Sequence, residues 1–438
     1  MSTEKINDMI AEMDALLTDP EVPVSGYAVS IIKNGKIAFE RQQGFCRIDP
    51  KDPSHCYPMK VSTRYRIASI SKVFTAIGIM RLFDQGLIDL DEDAGKYLGF
   101  PLRNPHYPDA IITPRMLLSH ISSIRDGSAY SIPSKTHIKE CFLPGGSFYC
   151  GGEHFAAPDG VHDMGPGGFY LYSNLNFGIL GTIIELLSGQ RFDHYMREQV
   201  LKPMGIGASF NLGDFDESGI LDVSAIFKRF GDGVWDVSKP WCAQMDDYQG
   251  VVQPKNIISI NNPDLGTANY EEDVTDYQVG TNGTIFSPQG GLRISAHELA
   301  LAAVMFLNGG VAENGNRILS EEAVRQMTAP VWWYAPGKNN KDMDDSAHAY
   351  GTGLNIISTE IGEDHVIAEA DDITIYGHTG SAYGLISACY FDPVTRSGFA
   401  YAFNGTGADH DLHKGNYCQR TIWHERMMTA IYRNFLRA

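Results

Sequence analysis

Ser69 and Lys72 are a pair of residues whose types and spacing could do chemistry. They lie in Arg66-Ile67-Ala68-Ser69-Ile70-Ser71-Lys72-Val73-Phe74, at the head of an apolar run. If a helix starts near Ser69, residues at i and i+3 share one face, so the hydroxyl and the amine come within reach of each other. A serine becomes a strong nucleophile when a base takes its proton, and a lysine can be that base when burial or charge lowers its pKa. The pair predicts a Ser/Lys acyl-transfer centre, and the alternative is an N-cap serine on a core helix.

The segment Tyr172-Ser173-Asn174 could complete such a centre. A phenol can shuttle protons once a neighbouring cation favours its anion. The amide of Asn174 can orient Lys72 or hold a substrate carbonyl. A core tyrosine beside a helix-capping asparagine is the alternative interpretation.

A further segment, His378-Thr379-Gly380-Ser381, lies between two predicted strands. Glycine there lets the backbone approach a ligand closely. The backbone N–H of Ser381 could pair with that of Ser69 as an oxyanion hole, and His378 adds a donor or a switchable positive charge. The alternative is a β-turn with a surface histidine.

The elements that position these residues are predicted from periodicity and turn residues. Residues 3–18 carry a helical stripe, Asn34-Gly35 between two β-rich runs predicts a hairpin, and the Ser69 helix runs to about Gln85, with Gly86 as its stop. Further helices are predicted after Thr113-Pro114 and over residues 174–187, 296–307, 320–327 and 417–436. Strands are predicted at 350–358, 372–376, 385–391 and 399–403, with turns at Gly377–Gly380 and Asp392-Pro393.

The predicted fold class is α/β plus all-α, an antiparallel sheet flanked by helices with an inserted helical domain. Residues 1–85 together with 330–438 are predicted to form the sheet domain, and residues 86–329 the mainly helical insertion. The active site is expected at the seam between them. Within the insertion, residues 127–169 form a long loop, a kind of segment that is often functional, and residues 206–285 show no assignable pattern.

Bulk composition excludes several classes of protein. The chain has 438 residues and a formal net charge of −18, with no basic run, which argues against a nucleic-acid partner. The longest apolar run, Leu299 to Leu307, is too short to span a membrane. Charged residues within positions 1–20 argue against a signal peptide, and seven cysteines without a C-x-x-C pattern fit reduced thiols. We therefore expect a cytoplasmic protein; whether Cys141 and Cys150 pair stays open, and so does the oligomeric state.

Jointly, S-x-x-K, Y-x-N and H-T-G in this order resemble the serine β-lactamase/penicillin-binding-protein superfamily. The most similar branch holds class C β-lactamases, D-Ala-D-Ala carboxypeptidases, D-aminopeptidases and β-lactamase-like esterases. The resemblance runs from about residue 20 to the C-terminus and is thinnest over 127–165 and 206–280. It is supported by further stretches in this sequence: Thr113-Pro114-Arg115-Met116-Leu117-Leu118-Ser119-His120, Pro166-Gly167 and Gly290-Gly291-Leu292.

The resemblance implies a role for each motif residue. Ser69 matches the acylated nucleophile, Lys72 the base or hydrogen-bond partner that activates it, and Tyr172 the proton shuttle. The residues that match the family's substrate-binding and oxyanion groups are Asn174, His378, Thr379, Gly380 and Ser381. The resemblance implies no metal and no cofactor, and a small-molecule ester, amide or short peptide as substrate.

Two departures from the family pattern bear on the substrate. His378 stands where β-lactamases usually carry a lysine, and a histidine is mostly neutral at pH 7, which weakens a β-lactamase interpretation. Ile121-Ser122-Ser123 replaces the usual Thr-Ser-Gly. We expect a cytosolic serine hydrolase acting on small esters or on amides and D-amino-acid peptides. The alternatives are a β-lactamase or D-Ala-D-Ala carboxypeptidase, a non-catalytic binding member of the same scaffold, and a metal enzyme using His410-x-x-His413.

Overall fold

The structure, a computed structural model, describes residues 2–262, 267–335, 341–342, 345–361, 364–365, 373–418 and 420–437. Ten α-helices occur in these ranges: α1 (Thr3–Ala15), α2 (Ser71–Asp84), α3 (Ala94–Leu98), α4 (Pro114–Leu118), α5 (Leu175–Ser188), α6 (Phe192–Tyr195), α7 (Glu217–Leu221), α8 (Ala296–Leu307), α9 (Glu321–Thr328) and α10 (Ile422–Ile431). Short π-helical segments continue α6 (Met196–Leu201) and α10 (Tyr432–Leu436).

The same ranges contain seventeen strands: β1 (Gly26–Lys33), β2 (Lys36–Arg47), β3 (Tyr57–Pro58), β4 (Arg64–Arg66), β5 (Ile226–Gly231), β6 (Val234–Trp235), β7 (Trp241–Met245), β8 (Ile257–Asn262), β9 (Thr267–Asp273), β10 (Arg293–Ser295), β11 (Trp332–Trp333), β12 (Ala349–Tyr350), β13 (Asn355–Ser358), β14 (Thr374–Ala382), β15 (Leu385–Asp392), β16 (Ser397–Phe403) and β17 (Gly405–Thr406).

Nine strands from both ends of the chain form one antiparallel sheet, in the order β11-β12-β13-β14-β15-β16-β1-β2-β3. The predicted Asn34-Gly35 hairpin joins β1 and β2, and both turn residues have positive φ, as the tight turn requires. Alternate residues of β1 enter two cores. Val29 and Ile31 pack with α1 and α10 on one face, while Ala28 and Ile32 pack with α8 and the helical part of the chain on the other.

Capping residues set many helix ends where the sequence predicts them. The Thr113 hydroxyl accepts a hydrogen bond from Met116 N at the start of α4, and Gly189 ends α5 in the left-handed conformation. The predicted helices over 296–307 and 320–327 are confirmed to within a residue. The terminal helix begins at Ile422 rather than at 417, because the Glu425 carboxylate accepts hydrogen bonds from backbone N–H groups at 417 and 418 and keeps them in a loop.

The turn predicted at Gly377–Gly380 is wrong. These residues lie inside β14, and the chain turns at Tyr383-Gly384, where both residues have positive φ. The start of that predicted strand, at Asp372, lies outside the described residues. The strand predicted over 350–358 is two strands, because the chain reverses through Gly351 and Gly353 between β12 and β13.

Residues 206–285, which the sequence left unassigned, contribute β5 to β9. β5, β6, β7 and β17 form a small sheet, and β8 pairs with β9. The region 86–329 is thus helical with added hairpins, and its division from the sheet as a separate domain stays a prediction. None of the described helices combines the length and the apolar character that a membrane span requires.

Candidate active site

Ser69 lies in a short 3-10 turn, Ala68–Ile70, directly before α2. Ala68 has φ of 53°, which residues with a side chain adopt only under local constraint. This turn packs its backbone against β14. A Cβ added to Gly380 would lie 2.4 Å from the carbonyl oxygen of Ile67 and 3.3 Å from Ser69 N. Only glycine at this position lets the strand approach the turn so closely.

Lys72, one helical turn after Ser69, is completely buried. Its Nζ lies 3.2 Å from the Ser69 Oγ, 2.8 Å from the Asn174 Oδ1 and 3.1 Å from the Gln289 carbonyl oxygen. Burial lowers the pKa of Lys72 to about 7, although the Asp126 carboxylate acts in the opposite direction. Near neutral pH a large fraction of this amine is therefore unprotonated and can accept the proton of Ser69.

Tyr172 forms a hydrogen bond with Ser69, and its ring centroid lies 4.7 Å from the Lys72 Nζ. The buried His120 stacks on the Tyr172 ring with centroids 4.3 Å apart and accepts a hydrogen bond from Ser173 N, which fixes the ring of Tyr172. Burial raises the pKa of Tyr172 well above its ordinary value. The expectation that a neighbouring cation favours the phenolate is therefore wrong, because desolvation outweighs the opposing effect of the Ser69 hydrogen bond, and Tyr172 is a phenol that can donate its proton.

Asn174 connects Lys72 to the half-buried carboxylate of Asp126. Its Oδ1 accepts from Lys72, and its Nδ2 donates to Asp126 Oδ2 at 2.8 Å. Asp126 Oδ1 also accepts from the Ser173 hydroxyl and from Leu175 N, both at 2.9 Å. Asp126 thus caps the start of α5 and fixes which way the Asn174 amide points. Sequence reasoning missed Asp126, because a single carboxylate in a long loop carries no local signal.

His378 is buried beside Lys72 and Tyr172 on β14. Burial, with the nearby positive charge of Lys72, lowers the pKa of His378 to about 3, so the expected switchable positive charge is absent at neutral pH. Its Nδ1 donates to the Thr379 carbonyl oxygen, because a carbonyl only accepts. The Nε2 is then an acceptor, and none of the described residues gives it a hydrogen bond.

The register of β14 determines which of its backbone N–H groups face the site. In a two-residue hairpin the residues flanking the turn are hydrogen-bonded to each other, so Ala382 and Gly380 pair with β15. Thr379 and Ser381 then direct their N–H groups to the opposite edge. β13 covers that edge only as far as Gly377. The N–H of Ser381 therefore faces the region of Ser69, as an oxyanion hole requires.

Two adjoining cavities meet at Ser69, Tyr172 and Ser381. The larger, of about 220 Å³, is also lined by Asn174, Tyr130, Gln289, Gly290, Arg66, Ala68, Ala382 and Tyr383. The smaller, of about 190 Å³, is also lined by Tyr170, Asp345, Ser346, Ala347, Tyr350, Asn355, His378, Thr379 and Arg420. The hydroxyls of Tyr170 and Tyr350 have no hydrogen-bond partner among the described residues, so the smaller cavity offers polar atoms to a ligand.

Within the ranges that the structure describes, no group of three His, Cys, Asp or Glu side chains could hold a metal ion. His410 instead contacts Ser381, and His413 bonds the Asp409 carbonyl oxygen. The seven cysteines, all within the described residues, are free, including Cys141 and Cys150.

The comparisons with known proteins agree with this geometry. The model of the Beta-lactamase family matches residues 8–419, and the chain belongs to this family, which confirms the resemblance seen in the sequence.

Curated relatives match parts of the chain. Protein flp of Staphylococcus aureus (strain NCTC 8325 / PS 47) is 28% identical over 183 residues, which cover 41% of this chain and 34% of that protein. The ML-236A carboxylate methylbutanoyltransferase mlcH of Penicillium citrinum is 26% identical over 215 residues, which cover 46% of this chain and 50% of that protein. The chain thus spans a third to a half of the length of these relatives.

Solved structures match nearly the whole chain. The D-amino acid amidase from Ochrobactrum anthropi SV3, complexed with D-phenylalanine, has a TM-score of 0.60 at 18% identity, covering 98% of this chain and 99% of that one. The octameric penicillin-binding protein homologue from Pyrococcus abyssi has a TM-score of 0.59 at 23% identity, covering 93% and 74%. At these identities the likeness establishes the fold, and the predicted fold class is confirmed.

Proposed function

We propose that this protein is a serine hydrolase that cleaves small esters or amides, including D-amino-acid amides, through an acyl-enzyme on Ser69. The observation that carries the proposal is the contact of 3.2 Å between the Ser69 hydroxyl and the buried amine of Lys72, whose pKa burial lowers to about 7. A neutral amine at this distance has one evident chemical use, which is to take the serine proton.

The reaction follows from the hydrogen bonds. Lys72 takes the proton of Ser69 as the Oγ attacks the substrate carbonyl, and the N–H groups of Ser69 and Ser381 stabilise the oxyanion. The Tyr172 phenol gives its proton to the leaving nitrogen or oxygen and regains one from Lys72, so the protons balance. Asn174 keeps Lys72 aligned and contacts the substrate. Water then attacks the ester on Ser69 with the same groups acting in reverse.

The smaller cavity supports the proposed substrate class. Its volume of about 190 Å³ fits a small group. A carboxylate-bearing ligand such as a β-lactam would meet His378, which is neutral and presents an acceptor nitrogen. This supports esters and amides without a carboxylate at that position, and it disfavours the alternatives of a β-lactamase and a D-Ala-D-Ala carboxypeptidase.

The experiment described below also distinguishes two other functions. One is acyl transfer to an alcohol in place of water, which the name of the Penicillium citrinum relative describes for that protein. The other is a non-catalytic binding protein on this scaffold, for which Lys72 would not need to be deprotonated.

The deciding experiment is turnover of short-chain p-nitrophenyl esters, of D- and L-amino-acid p-nitroanilides and of benzylpenicillin. Wild type is compared with Ser69→Ala, and with Ser54→Ala as a control for loss of an exposed serine that lines neither cavity. We expect activity on an ester or an amide that only Ser69→Ala abolishes. An increase in rate with added alcohol, with ester as product, would favour transfer. Near-normal activity in Ser69→Ala would refute the mechanism.

The cytosolic location stays part of the proposal. It rests on the odd number of cysteines without a C-x-x-C pattern, which suits a reducing compartment.

A further inference from the structure

A chain of hydrogen bonds leads from the active site to His410. The Ser381 hydroxyl lies 2.9 Å from the His410 Nδ1, and the His410 Nε2 lies 2.5 Å from the Thr406 Oγ1. The Thr406 hydroxyl donates its only proton to the Gly384 carbonyl oxygen at 3.0 Å. Thr406 must therefore accept from His410, so the Nε2 carries the proton, the Nδ1 is bare, and Ser381 donates to it.

The imidazole is held in place by two indole rings. Its centroid lies 5.4 Å from the ring of Trp235 and 5.3 Å from the ring of Trp423. Burial lowers the pKa of His410 to about 4, so the neutral tautomer persists at neutral pH. The charged and titratable groups that face it are Lys228, Asp409, His413, Lys414 and His424.

We propose that His410 is a positioning residue that fixes the hydroxyl of the exposed Ser381 as a hydrogen-bond acceptor at the cavities that Ser69 also lines, so that this position selects an N–H donor of the substrate. The inference rests on the proposed function, in which the substrate occupies the cavities that Ser381 lines. With its own proton committed to His410, the Ser381 Oγ presents only lone pairs to a ligand.

Other acceptors face the same cavity. The His378 Nε2 is unpaired among the described residues, and the Asp345 carboxylate lines the wall. Arg420 also lines it, but its charge is matched by the Asp364 carboxylate at 2.8 Å and its other terminal nitrogen donates to Asn355, which leaves its Nε as a donor without a partner among the described residues. The ligand chemistry that satisfies this set of acceptors is an ammonium group, such as the free amine of an amino-acid amide.

Binding to the Ser69→Ala protein tests the inference without depending on turnover. Calorimetry compares phenylalanine amide with 3-phenylpropanamide, which has the same shape without the ammonium group. We expect phenylalanine amide to bind at least tenfold more tightly, the range for one charge-assisted hydrogen bond. Equal affinity for the two ligands would overturn the inference.

Two variants of His410 form a matched pair. Asparagine places its amide near the position of Nδ1 and can accept from Ser381, whereas glutamine reaches the position of Nε2 and contacts Thr406 only. We expect His410→Gln to weaken phenylalanine amide about tenfold with little change for 3-phenylpropanamide, and His410→Asn to stay within about threefold of the parent. In a Ser381→Ala background His410→Gln should have no further effect.

A merely structural role predicts a different result, namely equal losses for both ligands that persist in the Ser381→Ala background. Nitrogen NMR of ¹⁵N-histidine-labelled protein provides an independent readout, with the His410 signal assigned from its loss in His410→Gln. A protonated Nε2 and a bare Nδ1 are expected, and the opposite tautomer would refute the inference. Failure of the proposed function would appear separately, as a Ser69 that esters and amides do not acylate in the wild type.

Discussion

Replacing Asp126 with asparagine should move the pH dependence of the reaction by a predictable amount. Asp126 accepts three hydrogen bonds and is the largest charge that raises the pKa of Lys72. Two hydrogen bonds of 2.8 Å through the Asn174 amide separate the two charges. At roughly 7 Å and an effective dielectric constant of about 20, two unit charges interact by about 2 kcal/mol, somewhat more than one pKa unit.

The sign of the change follows from the charge that is lost. Without the carboxylate the protonated form of Lys72 is less stable, so its pKa falls from about 7 toward about 6. Since the neutral amine is the active form, the acidic limb of kcat/KM against pH should move down by about one unit. The rate at the plateau should fall about tenfold or more, because asparagine cannot accept all three hydrogen bonds and Asn174 loses its fixed orientation.

The assay is kcat/KM for a short-chain ester from pH 5 to pH 9, with circular dichroism to confirm that the variant is folded. Asp8→Asn, which removes an exposed carboxylate on α1, is the control and should leave the profile unchanged. An acidic limb that stays in place in a folded Asp126→Asn protein, or that moves to higher pH, would refute the assignment of Lys72 as the base.

Three further predictions concern the site and its stability. Lys72→Ala and Tyr172→Phe should each lower kcat by about a hundredfold or more, which is the contribution of general acid–base catalysis. A kcat within a factor of three of wild type would contradict the roles of these residues in proton transfer. His378→Lys should speed acylation by benzylpenicillin by about tenfold or more in a stopped-flow assay, because it adds a cation for the carboxylate of the ligand. An unchanged acylation rate would show that this position does not meet the carboxylate. Burial lowers the pKa values of His378, His410 and His424 to about 3, 4 and 3. Below pH 6.5 the unfolded chain binds protons on these three histidines that the folded state does not, so urea titrations should show stability falling by up to about 4 kcal/mol per pH unit between pH 6.5 and pH 4. A flat profile there would be inconsistent with three imidazoles that stay neutral in the folded protein.

Local chemistry made part of the site predictable. The spacing of Ser69 and Lys72 predicts their contact because a helical turn has a fixed geometry. The Asn34-Gly35 hairpin follows from the conformations that these residues favour. These features depend on residues that are close in sequence.

Other parts depend on contacts between distant segments. Gly377 and Gly380 resemble turn residues, yet both lie in β14. Glycine is required at these positions because the Cys389 and Ile67 carbonyl oxygens leave no space for a Cβ. The charge of His378 could not be predicted, because burial sets it. Asp126 reaches the site from a loop, and no local pattern marks it. The pattern His410-x-x-His413 indicated a metal ligand, whereas His410 contacts the Ser381 hydroxyl.

The most direct test of the central claim is the mass of the intact protein, quenched seconds after mixing with a p-nitrophenyl ester, followed by peptide mapping. The mechanism predicts one acyl group, located on Ser69, and none in Ser69→Ala. It also predicts that the adduct forms far more slowly in Lys72→Ala. An adduct on another residue, or turnover by Ser69→Ala at the wild-type rate, would contradict it.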